Sequence, residues 1–217
     1  TKSRNLDIFM LGENTCRYLL AKNSRNCDIA VLEGVMGYYD GISTTTEGSA
    51  YALAKVTETP VVLVINATGA SLSLAALIQG FKDFRIDSNI RGAILNNISP
   101  MTYAYYKDII EKETGVKLLG YMPKMEGCGF ESRHLGLITA EEINNLQVIV
   151  DRLAKQAEAT IDLKSIIEIA KTAPSLDYEA PAIDKVANVK IAIAQDKAFC
   201  FYYQDSLDLL CEMGAEL

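Results

Sequence analysis

Short apolar runs alternate along the chain with segments whose apolar residues recur at helical spacing. Residues 28–33 (DIAVLE), 60–66 (PVVLVIN), 91–96 (RGAILN) and 116–120 (VKLLG) read as strands. They are mostly apolar on both faces, the pattern of a parallel sheet covered by helices on each side. Between them, residues 48–57, 71–84 and 100–114 read as helices, with Leu74, Leu77, Ile78 and Phe81 along one face of the second. Successive strands start about thirty residues apart, the length of a βαβ unit. The expected fold is α/β, a doubly wound parallel sheet.

Residues 121–136 break this rhythm with Gly127, Gly129 and mixed polar residues. A loop of that length exceeds a mere connector, and such loops are often functional. Two helices are expected next, over 139–158 and 162–171, the first with Ile143, Leu146, Ile149 and Leu153 on one face. Residues 172–188, with Pro174, Pro181 and several small or acidic residues, have the composition of an interdomain linker. A strand at 189–194 and a helix at 206–213 then restart the pattern, and the chain stops where a further strand is due. The expected organisation is a first domain over 1–171, a linker over 172–188 and the opening of a second domain over 189–217. A βαβ unit cut in its middle cannot close its core, so the sequence is expected to be a fragment.

Composition narrows the function. The chain has 217 residues, 49% hydrophobic and 23% charged, enough to bury a substantial core. Its net charge of −7 disfavours nucleic acid and anionic membrane as partners. Apolar runs such as 60–65 are far too short to span a bilayer. Five cysteines without a C-x-x-C pair and no export signal at the first residues point to the cytoplasm. One histidine, His134, argues against a zinc site and against a Ser-His-Asp or Cys-His centre.

The strongest local signal is Glu33-Gly34-Val35-Met36-Gly37-Tyr38-Tyr39-Asp40-Gly41. It follows a predicted strand, which puts Glu33 at the carboxyl edge where open α/β sheets bind ligands. Glycines at 34, 37 and 41 let backbone approach a substrate, and the two flanking carboxylates suit Mg²⁺, which takes oxygen ligands. The same letters also describe a plain glycine turn with solvated acids. Asn96 ends the third predicted strand and is followed by Asn97; its carboxamide could read an adenine edge, or serve as a cap or turn residue. Pro123 could pack on a base or simply turn the chain. Arg133 could pair with a carboxylate or phosphate, and the adjoining His134 could donate a hydrogen bond or change charge near neutrality. Arg4-Asn5-Leu6-Asp7 has the form of a helix start, with Asn5 or Asp7 capping. No G-x-x-x-x-G-K-[ST] stretch is present, and Gly127–Gly129 lacks the third glycine of a dinucleotide fingerprint.

Taken in order, Arg4-Asn5-Leu6-Asp7, Glu33-Gly-Val-Met-Gly through Asp40-Gly41, Gly92-Ala-Ile-Leu-Asn96, Arg133-His134-Leu135-Gly136-Leu137 and Ile193-Ala194-Gln195-Asp196-Lys197-Ala198-Phe199-Cys200-Phe201-Tyr202-Tyr203 resemble the cobyrinic acid a,c-diamide synthases, of the cobalamin-pathway glutamine amidotransferase family. The resemblance covers essentially the whole chain. It implies an N-terminal ATP-binding domain of the P-loop NTPase type, similar to dethiobiotin synthetase, with its P-loop upstream of Thr1. A class I glutamine amidotransferase domain would open near Val189, and Cys200 and Cys211 sit too early to be its nucleophile.

The implied reaction is ATP- and glutamine-dependent amidation of the a and c carboxylates of a corrinoid through an acyl phosphate, with Mg²⁺ and ATP as cofactors. The implied partners are the corrinoid polycarboxylate, ATP and glutamine-derived ammonia. Glu33 and Asp40 match the family's catalytic, metal-binding acids, with Gly34 and Gly37 closing the loop on phosphate or substrate. Asn96 matches the adenine-reading position, with Pro123 lining the base. Arg133, His134 and Tyr39 fall to substrate binding. Without the P-loop and the amidotransferase body, the isolated chain is expected to be inactive. A sheet edge left open near Leu217 invites pairing with a neighbour, which leaves a homodimer open. Nickel-sirohydrochlorin and hydrogenobyrinic acid a,c-diamide synthases, and less closely cobyric acid synthase, would show much the same motifs. A ParA-like scaffold domain without ATP chemistry is the alternative of another class.

Overall fold

The computed structural model describes residues 3–129, 143, 145–196 and 198–217. The chain divides into two compact units, Thr1–Thr57 with Ser175–Leu217, and Glu58–Pro174. It returns from the second unit to the first between Pro174 and Ser175.

The second unit is built on a parallel sheet of β1 (Val61–Asn66), β2 (Ile90–Asn96) and β3 (Lys117–Met122), in that order. Helices α3 (Ser73–Asp83) and α4 (Pro100–Thr114) make the crossovers between them, and α5 (Leu146–Thr160) and α6 (Leu163–Ala170) follow β3. The fold is thus the α/β, parallel-sheet type expected from the alternating pattern. Leu63, Ile65, Ala93, Leu95, Leu118 and Leu119 bury the sheet side, and Leu74, Ile78 and Ile110 the helix side.

Burial follows strand position. Central β2 keeps Gly92, Ala93 and Leu95 inside, whereas β1, at one end of the sheet order, alternates and leaves Val64 68% exposed. α4 has strong boundaries at both ends. Ser99 accepts from the Thr102 amide at 3.1 Å, Pro100 supplies a preset first turn, and Gly115 closes the helix at φ 62°.

On its far side β3 meets the chain again through an antiparallel bridge between Gly120 and Ile161. The Asp162 amide donates to the Leu119 carbonyl at 2.7 Å, and Asp162 then caps α6 by accepting from the Ser165 amide at 2.9 Å. Gly120 has φ 134°, and a Cβ there would lie 2.6 Å from Ile161 Cα and collide with the Thr160 carbonyl oxygen. Only glycine suits that crossing.

The first unit contains α1 (Ile8–Ser24), α2 (Ala50–Val56), β4 (Val189–Lys190), α7 (Gln204–Glu212) and β5 (Ala215–Glu216). Asp7 caps α1, accepting from the Phe9 and Met10 amides at 3.0 and 3.1 Å, and helical geometry is interrupted at Gly12. β4 and β5 pair in parallel. Arg4 binds Asp205 at 3.3 Å and Asp208 at 2.6 Å on α7, and Lys22 binds Glu212 at 2.8 Å. Asn14 exchanges two hydrogen bonds with the Glu179 backbone, at 2.9 and 2.8 Å. These contacts hold the returning segment against α1.

Two sequence expectations are corrected. Residues 28–33 are not a strand: they run without ladder pairing, with Ile29 and Val31 exposed. The described strands of that unit, β4 and β5, are paired with each other, so nothing within it supplies the ladder that a β-rich stretch requires. The strand expected over 189–194 shortens to Val189–Lys190, because β5 is only two residues long. The helix expected over 139–158 runs Leu146–Thr160, and its predicted first turn falls largely outside the described residues.

Candidate functional site

The acid–glycine turn lies in the first unit. The Asp40 amide donates to the Gly37 carbonyl at 2.9 Å, closing a four-residue turn, and the Asp40 carboxylate occupies the space a side chain at Gly37 would fill. Gly34 faces Ala50 Cβ, 3.1 Å from where its own Cβ would stand. A Cβ on Gly41 would lie 2.8 Å from the Thr45 oxygen and the Thr46 carbonyl carbon, so the 41–47 loop closes only around a glycine. Here Ile42 N–H donates to the Glu47 carbonyl at 2.8 Å.

Tyr39 is half-buried in an aromatic cluster, 4.8 Å from the Tyr38 ring and 5.1 Å from the Tyr51 ring. The Tyr51 amide donates to the Tyr38 carbonyl at 2.9 Å, which fastens the turn to α2. Ser49 caps α2, accepting from the Ala52 amide at 3.1 Å. Glu33 and Asp40 are both exposed, so their oxygens are open to solvent. Among the described residues no group of three or more His, Cys, Asp and Glu side chains converges on a metal position. Mg²⁺ commonly takes one or two carboxylates beside phosphate and water, so each of these exposed acids offers oxygen donors of a kind it can use.

The second unit carries a carboxamide corner at the carboxyl edge of its sheet. Asn66 and Asn96 are register partners at the ends of β1 and β2, with Met122 of β3 beside them. Asn66 Oδ1 accepts from the Thr68 amide at 3.2 Å, from Thr68 Oγ1 at 2.8 Å and from Asn97 Nδ2 at 3.2 Å. Asn96 Oδ1 accepts from the Asn97 amide at 3.0 Å, and Asn97 has φ 59°. Pro123, half-buried, follows β3 directly, and the Ile98 amide donates to the Met122 carbonyl at 3.3 Å. In open parallel sheets this edge, beyond the strand ends, is where ligands bind.

Asn66 and Asn97 were not reached from motif spacing. The signal for them was present, since two apolar strands each end in asparagine and the second continues with another. Arg133 and His134 lie outside the described residues. Arg4 is engaged by α7: its hydrogen bond to Asp208, opposed by partial desolvation, and the charge of Asp205 raise its pKa. Asp208 is correspondingly lowered, chiefly by hydrogen bonds from Gln204 and Arg4. Among the described residues no helix is long and apolar enough to cross a membrane.

A family model described as an AAA domain matches residues 10–132, more than half of the chain. The chain belongs to the AAA domain family. The parallel sheet of β1, β2 and β3 is consistent with the P-loop NTPase-like fold of that family, whose chemistry is nucleotide binding. Among curated proteins, the chain is 41% identical to "Cobyrinate a,c-diamide synthase" of Caldanaerobacter subterraneus subsp. tengcongensis, over 99% of the chain and 48% of the relative. It is 41% identical to the protein of that name from Thermoplasma acidophilum, over 99% of the chain and 48% of the relative. For that from Priestia megaterium the figures are 38%, 99% and 47%. The chain therefore spans about half the length of the curated relatives it matches. No solved structure matches it.

Within this AAA domain chain, the family match runs through the acid–glycine turn and the carboxamide corner alike, and it ends within the 130–142 stretch that lies outside the described residues.

Proposed function

We propose that the chain is part of an ATP-dependent amide ligase that converts the a and c carboxylates of a cobyrinate-type corrinoid to amides, with glutamine as the nitrogen source. The observation that carries this reading is the identity of about 40% with proteins named cobyrinate a,c-diamide synthase along 99% of the chain. A carboxylate does not release oxide to ammonia. Transfer of the ATP γ-phosphoryl group to a carboxylate oxygen gives an acyl phosphate and ADP. Ammonia then adds to the carbonyl carbon, phosphate leaves with the C–O bond electrons, and a proton is lost from nitrogen to give the amide.

The residues divide this work. Asn96 reads the adenine edge and Pro123 lines the base. Glu33 and Asp40 are the carboxylates that would hold Mg²⁺, which when bound screens the phosphate charges. Gly37 lets Asp40 fold back on its own turn, and Gly34 permits the close approach of the chain to α2. Tyr39, Arg133 and His134 bind substrate. The isolated chain is not expected to turn over.

The test is Glu33→Gln in the complete protein, assayed for corrinoid amidation and separately for glutamine hydrolysis. ATP-dependent amidation should be abolished while glutaminase activity persists. Unchanged synthetase turnover would remove Glu33 from the mechanism.

A further inference from the structure

α2, which carries Tyr51, has only seven residues, and helices under about 12 residues are marginal in water. Its place is therefore set by what its two ends touch. At the start, Ser49 accepts from the Ala52 amide and its Oγ donates to the Thr46 carbonyl at 2.6 Å. At the far end the last carbonyls have no donors from a following turn. The Thr57 amide serves the Leu53 carbonyl at 3.0 Å. The Val56 carbonyl is served from α1, where Arg17 Nε donates to it at 2.8 Å.

That end of α2 lies in the core, with Val56 and Thr57 both buried. A carbonyl stripped of its donor there must shift toward water or go unsatisfied. Arg17 reaches it from a helix fixed by other contacts. Cys16 and Leu19, on either side of Arg17 in sequence, are buried. Along a neighbouring strip of α1, Asn14, Tyr18 and Lys22, four residues apart, meet Glu179, Tyr178 and Glu212.

We propose that Arg17 is a positioning residue for the acid–glycine turn: through the Val56 carbonyl it fixes α2, and through Tyr51 α2 fixes Tyr39 and Asp40. This rests on the roles given to Tyr39 and Asp40 above. Tyr51 stands five residues before Val56, about 7–8 Å along the helix axis, so a shift at one end is carried to the other. The Tyr51 amide is bonded to the Tyr38 carbonyl, and its ring lies 5.1 Å from that of Tyr39. Asp40 is the next residue, and its amide closes the turn onto Gly37.

Three substitutions separate the hydrogen bond from the charge. Glutamine Nε2 stands as many bonds from Cα as arginine Nε, so Arg17→Gln keeps a donor for Val56 without the charge. Methionine puts a methyl at that place, and lysine a methylene with the charge one bond beyond. The variants are made in the complete protein, with thermal unfolding of each to establish that it is folded. In Arg17→Met the Tyr51 and Asp40 amides should exchange faster than in the wild type. kcat for ATP-dependent corrinoid amidation should fall roughly fivefold to tenfold, the worth of one hydrogen bond. Glutamine hydrolysis and KM for glutamine should not move. Arg17→Gln should restore both the protection and the rate. Arg17→Lys should behave as Arg17→Met does, and it takes that variant's place in the comparison if methionine does not fold. Asp40→Asn, run alongside, should lower amidation at least as far.

Equal amidation rates in Arg17→Gln and Arg17→Met would overturn the positioning role, as would a loss of glutamine hydrolysis in step with amidation. Unchanged amidation in Arg17→Met, with Asp40→Asn still impaired, would overturn it while leaving the turn in the reaction. Asp40→Asn without effect would remove the turn from the reaction, and the role of Arg17 with it.

Discussion

Gly120→Ala isolates what holds the far side of the sheet. Gly120 is the residue of β3 that meets Ile161, at φ 134°, where a side chain is strained whatever space surrounds it. Such a backbone costs a non-glycine residue on the order of 1–3 kcal/mol. The methyl would also stand 2.6 Å from Ile161 Cα and 3.1 Å from the Thr160 carbonyl carbon, both backbone atoms that cannot swing aside as a side-chain tip can. Overpacking of this kind adds roughly 1–3 kcal/mol.

The two terms share one relaxation, movement of the 160–162 segment away from β3, so they do not add fully. About 2–4 kcal/mol is expected, a large part of the roughly 5–15 kcal/mol that a domain has. Denaturant unfolding followed by circular dichroism measures it. Amide exchange locates it: the Asp162 amide, bonded to the Leu119 carbonyl at 2.7 Å, should lose protection first. A destabilisation under about 0.5 kcal/mol, within the range of ordinary surface changes, would refute the close crossing of β3 and the 160–162 segment.

Two further outcomes follow from titration and burial. Asp162, at the start of α6, is pushed down to about 2 by hydrogen bonds from Ser165 and by Lys117, against a weaker opposing desolvation. A lowered carboxylate stabilises the fold fully above its unfolded pKa of 3.8 and loses that contribution as pH falls toward about 2. Asp162→Asn, which keeps a capping oxygen, should flatten the fall in unfolding stability between pH 4 and 2; an identical slope in both proteins would contradict the assignment. Cys16 is fully buried, and burial followed by the Asp7 charge pushes its thiol up to about 11. Alkylation of the native protein near pH 8 should modify exposed Cys27 and Cys211 well before Cys16, read by mass spectrometry; early labelling of Cys16 would overturn its place in the core of α1.

Where a segment's neighbours lie close in sequence, its letters were enough. The Ser99-Pro100 start and Gly115 end of α4, and Asp7 at the head of α1, rest on residues within a few positions of one another, and the three strands show as short apolar runs whatever their partners. The site was legible in part. The turn through Gly37 and Asp40 forms as its glycines suggest, and Asn96 stands at a strand end as the alternating pattern placed it. That its oxygen is already engaged, and that Asn97 and Asn66 complete the corner, depends on register between β1 and β2, which motif spacing does not carry.

The amino-acid order alone settled the α/β class and the main helices and strands of the central sheet, because periodicity is a local property of the chain. Distant partners settled the rest. Residues 28–33 have strand letters and no strand, since a ladder needs a second backbone alongside. Arg4 is an ion-pair partner of Asp205 and Asp208, two hundred positions away, and Gly120 is required by Thr160 and Ile161. Each of these is a contact between atoms that only folding brings within a few ångströms, and no reading of neighbours along the chain contains it.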